Sequence, residues 1–448
     1  MPTTRSSSPS PRLGSLFAPV DGASLAFFRV CFGGLIVVEV VRFFVLGRIG
    51  AYYVEPVAHF KYLGFGWVRP WPGVAMYVHF VAVGVLGAAV MLGWRYRVTS
   101  VLLALGFAYW FLLDKAQYLN HLYLTTLLGF LLACLPAERV ASLDAKRRAL
   151  PSVVPRWSIW LLRAQFALVY VFAGLAKVGG DWAEGNPMRD WLADREGLPV
   201  LGPWLVRDLA VPFFVYGGML FDLFVVPLLL WRPTRVVGVA LSLGFHGLNF
   251  LIFSIGIFPF MMLAATTLFF EPDWPRGFGL VRGPARTAPG PQPTPLVRRS
   301  ILALLALYLA LQLLVPLRHF AYRGNVHWTE EGHCFAWHML LRSKRASPPR
   351  FLVTDPATGE TWREPIERWL TERQYRKVGQ WPDMAHQCAL IIAAREREQN
   401  GREVEVRVQQ RVSLNGRRFA LLVDPTVDLA KRARSLAAAD WILPLADP

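Results

Sequence analysis

SLAFFRVCFGGLIVVEVVRFFVL, residues Ser24 to Leu46, carries only Arg29, Glu39 and Arg42 as charges. Crossing about 30 Å of hydrocarbon takes about 20 predominantly apolar residues in a helix, and this run meets that demand. Similar runs follow near Val74–Gly93, Val98–Leu113, Leu119–Leu135, Trp157–Ala176, Leu209–Trp231, Val236–Phe253, Ile257–Phe270 and Ile301–Val315. The pattern predicts a mainly α protein: a polytopic transmembrane bundle of about nine spans with a small C-terminal α+β extramembrane domain. The third and eighth runs are the shortest, and suit tilted or re-entrant segments.

Composition agrees. Of 448 residues, 54% are hydrophobic and 18% charged, with a mean hydropathy of +0.35, which is too apolar for a water-soluble chain of this length. The 17 Trp and 30 Phe suit interfacial belts and lipid-facing surfaces. A formal net charge of +17 would fit nucleic acid, but much of the Arg falls in short loops between apolar runs. No aromatic-interleaved basic motif or zinc-knuckle spacing accompanies it, so the expected partner is the lipid bilayer and no nucleic acid.

Loop charge sets the expected orientation. Arg5 and Arg12, Arg95 and Arg97, Arg139 to Arg156, Arg232 and Arg235, and Arg276 to Arg299 fall on alternate segments. The intervening loops are mixed or acidic, notably the one with Asp181, Glu184, Asp190, Asp194 and Glu196. Lys/Arg enrichment marks the cytoplasmic side, so the N-terminus is expected inside and, after an odd number of spans, the C-terminal domain outside. In a bacterium that is the inner membrane with a periplasmic domain; in a eukaryote the domain is lumenal. Three regions result: residues 1–19, Ser/Pro-rich and expected to be disordered without a cleavable signal; 20–317, the bundle; and 318–448, the outer domain. Gly283 to Pro295 reads as a flexible inner loop. Beyond Arg318, Phe351–Val353, Val404–Val408 and Phe419–Val423 read as strands and Gln387–Arg397 as a helix, with a hairpin turn at Asn415-Gly416.

Ionisable groups near hydrocarbon are costly and mark sites. Asn120 and His121 open the fourth span, Lys177 closes the fifth, and His246 and Asn249 share one face of the seventh. The topology puts all five at one depth, near the outer face. Singly, each has a structural explanation: Lys177 snorkelling to headgroups, His121 satisfying backbone groups, His246 bonding between helices. Together they favour a site. Lys177 at the edge of hydrocarbon is expected to be available as a neutral base, with His121 as a second proton carrier. Tyr118, Tyr170 and Phe258 suit a flat apolar ligand such as a membrane quinone. Glu39 and Arg42, three apart, read as a structural pair.

These residues stand in runs that resemble the vitamin K-dependent γ-glutamyl carboxylase family, including bacterial relatives with an HTTM-type membrane domain. The runs are Asp21-Gly-Ala-Ser-Leu-Ala-Phe-Phe-Arg29, Leu112-Leu-Asp-Lys-Ala-Gln-Tyr-Leu-Asn-His121, Tyr170-Val-Phe-Ala-Gly-Leu-Ala-Lys177 with Asp181-Trp182, and Phe245-His-Gly-Leu-Asn249 with Phe253-Ser-Ile-Gly-Ile-Phe258. Glu271-Pro-Asp-Trp-Pro275, Trp328 with Trp337, and Asp424-Pro-Thr-Val-Asp428 continue in family order. The resemblance implies that Lys177 deprotonates vitamin K hydroquinone, from phylloquinone or menaquinone. The reduced quinone then reacts with O2 to become a base strong enough to take a γ-proton from peptidyl Glu. The carbanion adds CO2, and the quinone leaves as its epoxide.

By the same resemblance His121 and Asn120 stand beside the lysine, and Tyr170, His246, Asn249 and Phe258, with Tyr118 at the same level, line the quinone pocket. His333 through Trp337 matches a segment associated with the glutamate-containing peptide or protein substrate, and Arg342 is placed to pair with its carboxylate. No metal is required; His333 and His338, five apart near Cys334, lack a second ligand cluster.

The chain departs from the pattern in three places. Ala176 replaces a second lysine of animal members. The outer domain is shorter than theirs, and the cysteine partner that Cys388 has in them is absent from Arg48–Gly73. Cys334 and Cys388 are left either bonded to one another or free. Two alternatives accompany the carboxylase: a quinol oxygenase that forms epoxide and carboxylates nothing, and a non-catalytic membrane scaffold.

Overall fold

The computed structural model describes residues 13–253, 255–282 and 293–445. Within a bilayer only a helix satisfies its own backbone groups, so each apolar run folds as one. In chain order these are α1 (Ala23–Val45), α2 (Val74–Leu92), α3 (Tyr96–Leu112), α4 (Asn120–Cys134) and α5 (Arg156–Leu175). They continue with α6 (Ala210–Leu230), α7 (Arg235–Ile252), α8 (Phe258–Thr266) and α9 (Pro295–Leu317). Of the nine spans expected, six among the described residues are long and apolar enough to cross a membrane, whereas α3, α4 and α8 are shorter apolar helices.

Close backbone approach joins α1 to α2. A Cβ on Gly33 would sit 2.5 Å from the Gly87 carbonyl oxygen, so only glycine permits this crossing. The charges of α1 are satisfied locally. Arg29 is fully buried and donates to the carbonyls of Ala137 (3.0 Å) and Ala141 (2.6 Å) in the loop after α4. Glu39 pairs with Arg42. By contrast, α9 stands at the periphery with Leu304, Leu307, Leu311 and Leu314 exposed, the face of a helix bathed in lipid. It is tied to α5 where Tyr308 Oη donates to Gln165 Oε1 at 2.6 Å.

Strand β1 (Pro19–Asp21) pairs antiparallel with β2 (Val153–Pro155). Residues 1–12 of the N-terminus expected to be disordered lie outside the described residues, as do residues 283–292 of the expected flexible loop. Regular structure begins earlier than residue 20, with a 3₁₀ turn at Leu13–Phe17, because Phe17 is buried.

After α9 the chain builds two three-stranded antiparallel sheets. One has β4 (Arg350–Thr354) between β5 (Thr361–Glu364) and β6 (Glu405–Gln409); the other has β7 (Arg411–Leu414) between β3 (Lys344–Ala346) and β8 (Ala420–Leu421). Alternation aligns buried Phe351 with Val408 and Val353 with Val406. Against that face lies the 3.6-period stripe Met384, Ala385, Cys388, Ala389 and Ile392 of the helix Pro382–Asn400. Asn415 and Gly416 both take positive φ, 51° and 82°, as the two central residues of a type I′ hairpin require. All four cysteines are free thiols.

This domain is bolted to one end of the bundle. Lys115, in the α3–α4 loop, pairs with Asp383 at 2.6 Å. Gln374 Nε2 donates to Asp114 Oδ2 at 2.9 Å. Arg417 grips Asp181, in the α5–α6 loop, with two bonds of 2.6 and 2.7 Å.

Candidate active site

Helix α5 ends at Leu175, which leaves the Lys177 side chain free to fold back along its own last turn. Its Nζ donates to the Ala173 carbonyl at 3.2 Å and to Asp222 Oδ2 on α6 at 2.5 Å. The Trp182 ring lies 5.5 Å from the amine. Lys177 and Asp222 are 5% and 4% exposed, so the pair is sealed from water and each charge depends on the other. The expectation of a lone amine is therefore corrected: a carboxylate accompanies it. Asp222 was missed from the sequence, although an aspartate in the apolar run Leu209–Trp231 is the signal that flags intramembrane sites.

The pair opens on a narrow cavity of about 60 Å³, walled by Val169, Tyr170, Phe245, Phe253, Phe258 and Met262. His246 and Asn249 of α7 enter the same wall. The His246 Nε2 and the Tyr170 hydroxyl are hydrogen-bonded at 2.8 Å, while its buried Nδ1 has no partner. Whichever tautomer is present, one polar ring atom is left to serve a ligand. Met339 and Leu340, from the C-terminal domain, close the roof.

His121 is elsewhere. It lines a second cavity of about 410 Å³ with Glu39, Arg42, Gln117 and Arg373. Phe253 and Ile255 belong to both cavities, and the Phe258 ring stands 6.4 Å from the rings of both His121 and His246. One depth thus holds two rooms with an aromatic wall between them. The imidazole that shares the amine's room is His246.

Asn120 and Tyr118 form a strap rather than a pocket wall. Tyr118 Oη donates to Asn120 Oδ1 (2.8 Å) and accepts from the Phe335 N–H (2.6 Å), while Asn120 Nδ2 donates to the His338 carbonyl (3.0 Å). Together they hold the 335–338 segment to the start of α4. Trp337 is fully buried against Tyr123, with ring centroids 5.0 Å apart, which makes it packing beneath this segment. Arg342 already has a carboxylate partner, Glu330, at 2.6 Å. His333 is buried beside His338, their Nδ1 atoms 3.3 Å apart.

A larger groove of about 590 Å³ runs between the C-terminal domain and the bundle. Its lining mixes Lys115, Arg318, Arg432 and Arg434 with Glu330, Glu331, Asp383 and Asp440, and Cys334 and Phe335 form part of its floor. The segment from Cys334 to Leu340 therefore touches the groove at one end and the amine cavity at the other.

Two family models match. The HTTM domain covers residues 17–274, which include Lys177, Asp222 and His246. The lumenal domain of the vitamin K-dependent gamma-carboxylase covers residues 297–448. No solved structure matches the sequence. Two adjoining matches that span the bundle and the C-terminal domain place this integral membrane protein in the vitamin K-dependent gamma-carboxylase family.

Proposed function

We propose that this protein couples oxidation of a membrane quinol to carboxylation of glutamyl side chains, with Lys177 as the base. The buried Lys177–Asp222 pair facing an aromatic cavity carries the reading. The residues suit a reduced quinone: flat apolar walls, an amine at one end and the unpartnered His246 Nδ1. The cavity is narrow, and the flexible Met262, Met339 and Leu340 side chains on its wall can shift to admit a bicyclic ring.

Reduced vitamin K, when bound, supplies the oxidisable ring whose reaction with O2 drives removal of a glutamyl γ-proton. An ammonium cannot act as a base, so Lys177 must first surrender a proton. Asp222, at 2.5 Å, is the acceptor within reach, and transfer between them leaves a neutral pair in a medium that disfavours charge. Lys177 then takes the proton of a ring hydroxyl. His246, held by Tyr170, orients that hydroxyl or its opposite oxygen. His121 serves the adjoining cavity, where it moves protons only past the Phe258 wall. The groove between the C-terminal domain and the bundle receives a glutamate-containing peptide, and the Cys334–Leu340 segment, which borders both groove and cavity, brings it toward the cavity roof. On this reading the outer domain faces the periplasm or a lumen, and CO2 is the second co-substrate.

A second reading, a quinol oxygenase without carboxylation, is favoured by one observation. Arg342, the candidate for the substrate carboxylate, is already engaged by Glu330. One assay separates the readings. Purified protein with reduced vitamin K and O2 is expected to yield epoxide, and to fix labelled bicarbonate only when a Glu peptide is added. Epoxide without fixed label selects the oxygenase. Full epoxide formation by Lys177→Met removes the assigned base from either scheme.

A further inference from the structure

Spacing alone supplied two imidazoles, His333 and His338. The fold adds a third. His327 sits in the short helix Val326–Thr329, and positive φ at Glu330, Phe335 and Trp337 curls the following loop back over it. One ligating nitrogen from each of His327, His333 and His338 falls within a single 4.8 Å cluster. Ring centroids are 5.2 Å apart for 327–338, 5.9 Å for 327–333 and 5.2 Å for 333–338.

The His333 and His338 Nδ1 atoms stand 3.3 Å apart, which is long for an N–H···N hydrogen bond. It is, however, the edge of a tetrahedron whose centre-to-nitrogen distance is ~2.0–2.1 Å, the ordinary length of a Zn–N bond. His327 Nδ1 is buried without a hydrogen-bond partner, and a turn of its ring brings it in to the same edge length when an ion binds. Arg342 opposes a cation here, but its partner Glu330, at 2.6 Å, offsets that charge.

We propose that His327, His333 and His338 form a tetrahedral site for a divalent transition metal of the zinc class, with the fourth position open to water. Its consequence is mechanical. The His338 carbonyl accepts from Asn120, and the next two residues, Met339 and Leu340, roof the amine cavity. An ion on these imidazoles would clip the loop that shapes the roof, without taking part in the chemistry.

The test uses full-length protein in detergent, purified without a histidine tag, stripped with a chelator, then titrated with Zn²⁺ against a competing indicator and with Co²⁺. One equivalent of each is expected to bind, with Co²⁺ giving the intense visible bands of a tetrahedral site. His327→Asn, at a position only partly buried, is expected to weaken Zn²⁺ by about 100-fold or more, since one of three protein ligands is lost. Zn²⁺ is also expected to raise the thermal midpoint of the wild type and leave that of His327→Asn unchanged. Absence of stoichiometric binding by the wild type, or equal affinity in His327→Asn, overturns the proposal. Neither outcome depends on quinol turnover, so the site stands or falls apart from the assigned activity.

Discussion

Lys177 Nζ lies 2.5 Å from Asp222 Oδ2, and both residues are buried where α5 ends beside α6. Two charges removed from water gain from each other little more than their desolvation costs, but either one alone is a heavy penalty. Lys177→Met and Asp222→Leu are each expected to destabilise the protein by about 3–5 kcal/mol. The double variant is expected to regain most of that loss while making no epoxide. Thermal unfolding in detergent and product analysis read the two effects separately. A double variant that keeps activity would make the pair structural only.

Tyr170 and His246 share a hydrogen bond of 2.8 Å across the cavity wall. Tyr170→Phe keeps the ring and its contact with Phe221 but strips His246 Nε2 of its partner. Leaving a buried polar atom unsatisfied costs about 1–3 kcal/mol. Because the released imidazole no longer has a fixed orientation, KM for reduced quinone is expected to rise severalfold, with KM for a Glu peptide unchanged. Equal effects on both constants would place Tyr170 outside quinone binding.

Much of this was legible because the bilayer makes one simple demand. A run such as Ser24–Leu46 has a single way to satisfy its backbone, so helix positions follow from hydropathy. Depth was legible too: His121, Lys177, His246 and Asn249 all border the two cavities at the domain end of the bundle. Lateral placement was not, because hydropathy states how far a residue lies along a helix and not which neighbour it faces. Hence His121 and Lys177 were joined in one room, though Phe253, Ile255 and Phe258 divide them. Asp222 was overlooked for a simpler reason. A single aspartate leaves the mean hydropathy of its run, 2.1, that of an uninterrupted span. The His327 contribution depends on left-handed turns at non-glycine residues, which no sequence pattern announces.

Asn120 bonds the His338 carbonyl at 3.0 Å, and Tyr118 accepts the Phe335 N–H at 2.6 Å. These contacts join the bundle to the segment between the groove and the cavity roof. Asn120→Ala and Tyr118→Phe are therefore expected to loosen that segment while leaving Lys177 and Asp222 undisturbed. The expected signature is uncoupling: epoxide forms at near the original rate, and fixed CO2 per epoxide falls severalfold. Parallel loss of both products would instead assign Asn120 a direct part in quinol chemistry.

Asp383 gives the contact between domain and bundle a pH dependence of definite sign. Burial pushes its carboxyl up, but Lys115 and Arg434, at 2.6 and 3.2 Å, together with hydrogen bonds from Lys115 and Gln387, outweigh burial and hold it down at about 2. In the unfolded chain the same group titrates near 4. A carboxyl lowered on folding stabilises fully above its unfolded value and loses that contribution as pH falls through its folded one. The thermal-midpoint gap between wild type and Asp383→Asn is thus expected to stay constant from pH 7 to 5. Between about pH 4 and 2 it should close, because the wild-type carboxyl becomes as uncharged as the amide. Subtracting the variant removes the titration of the other carboxylates, so a gap that persists at pH 2, or that closes near pH 6, would show that the Lys115–Asp383 contact does not hold the domain.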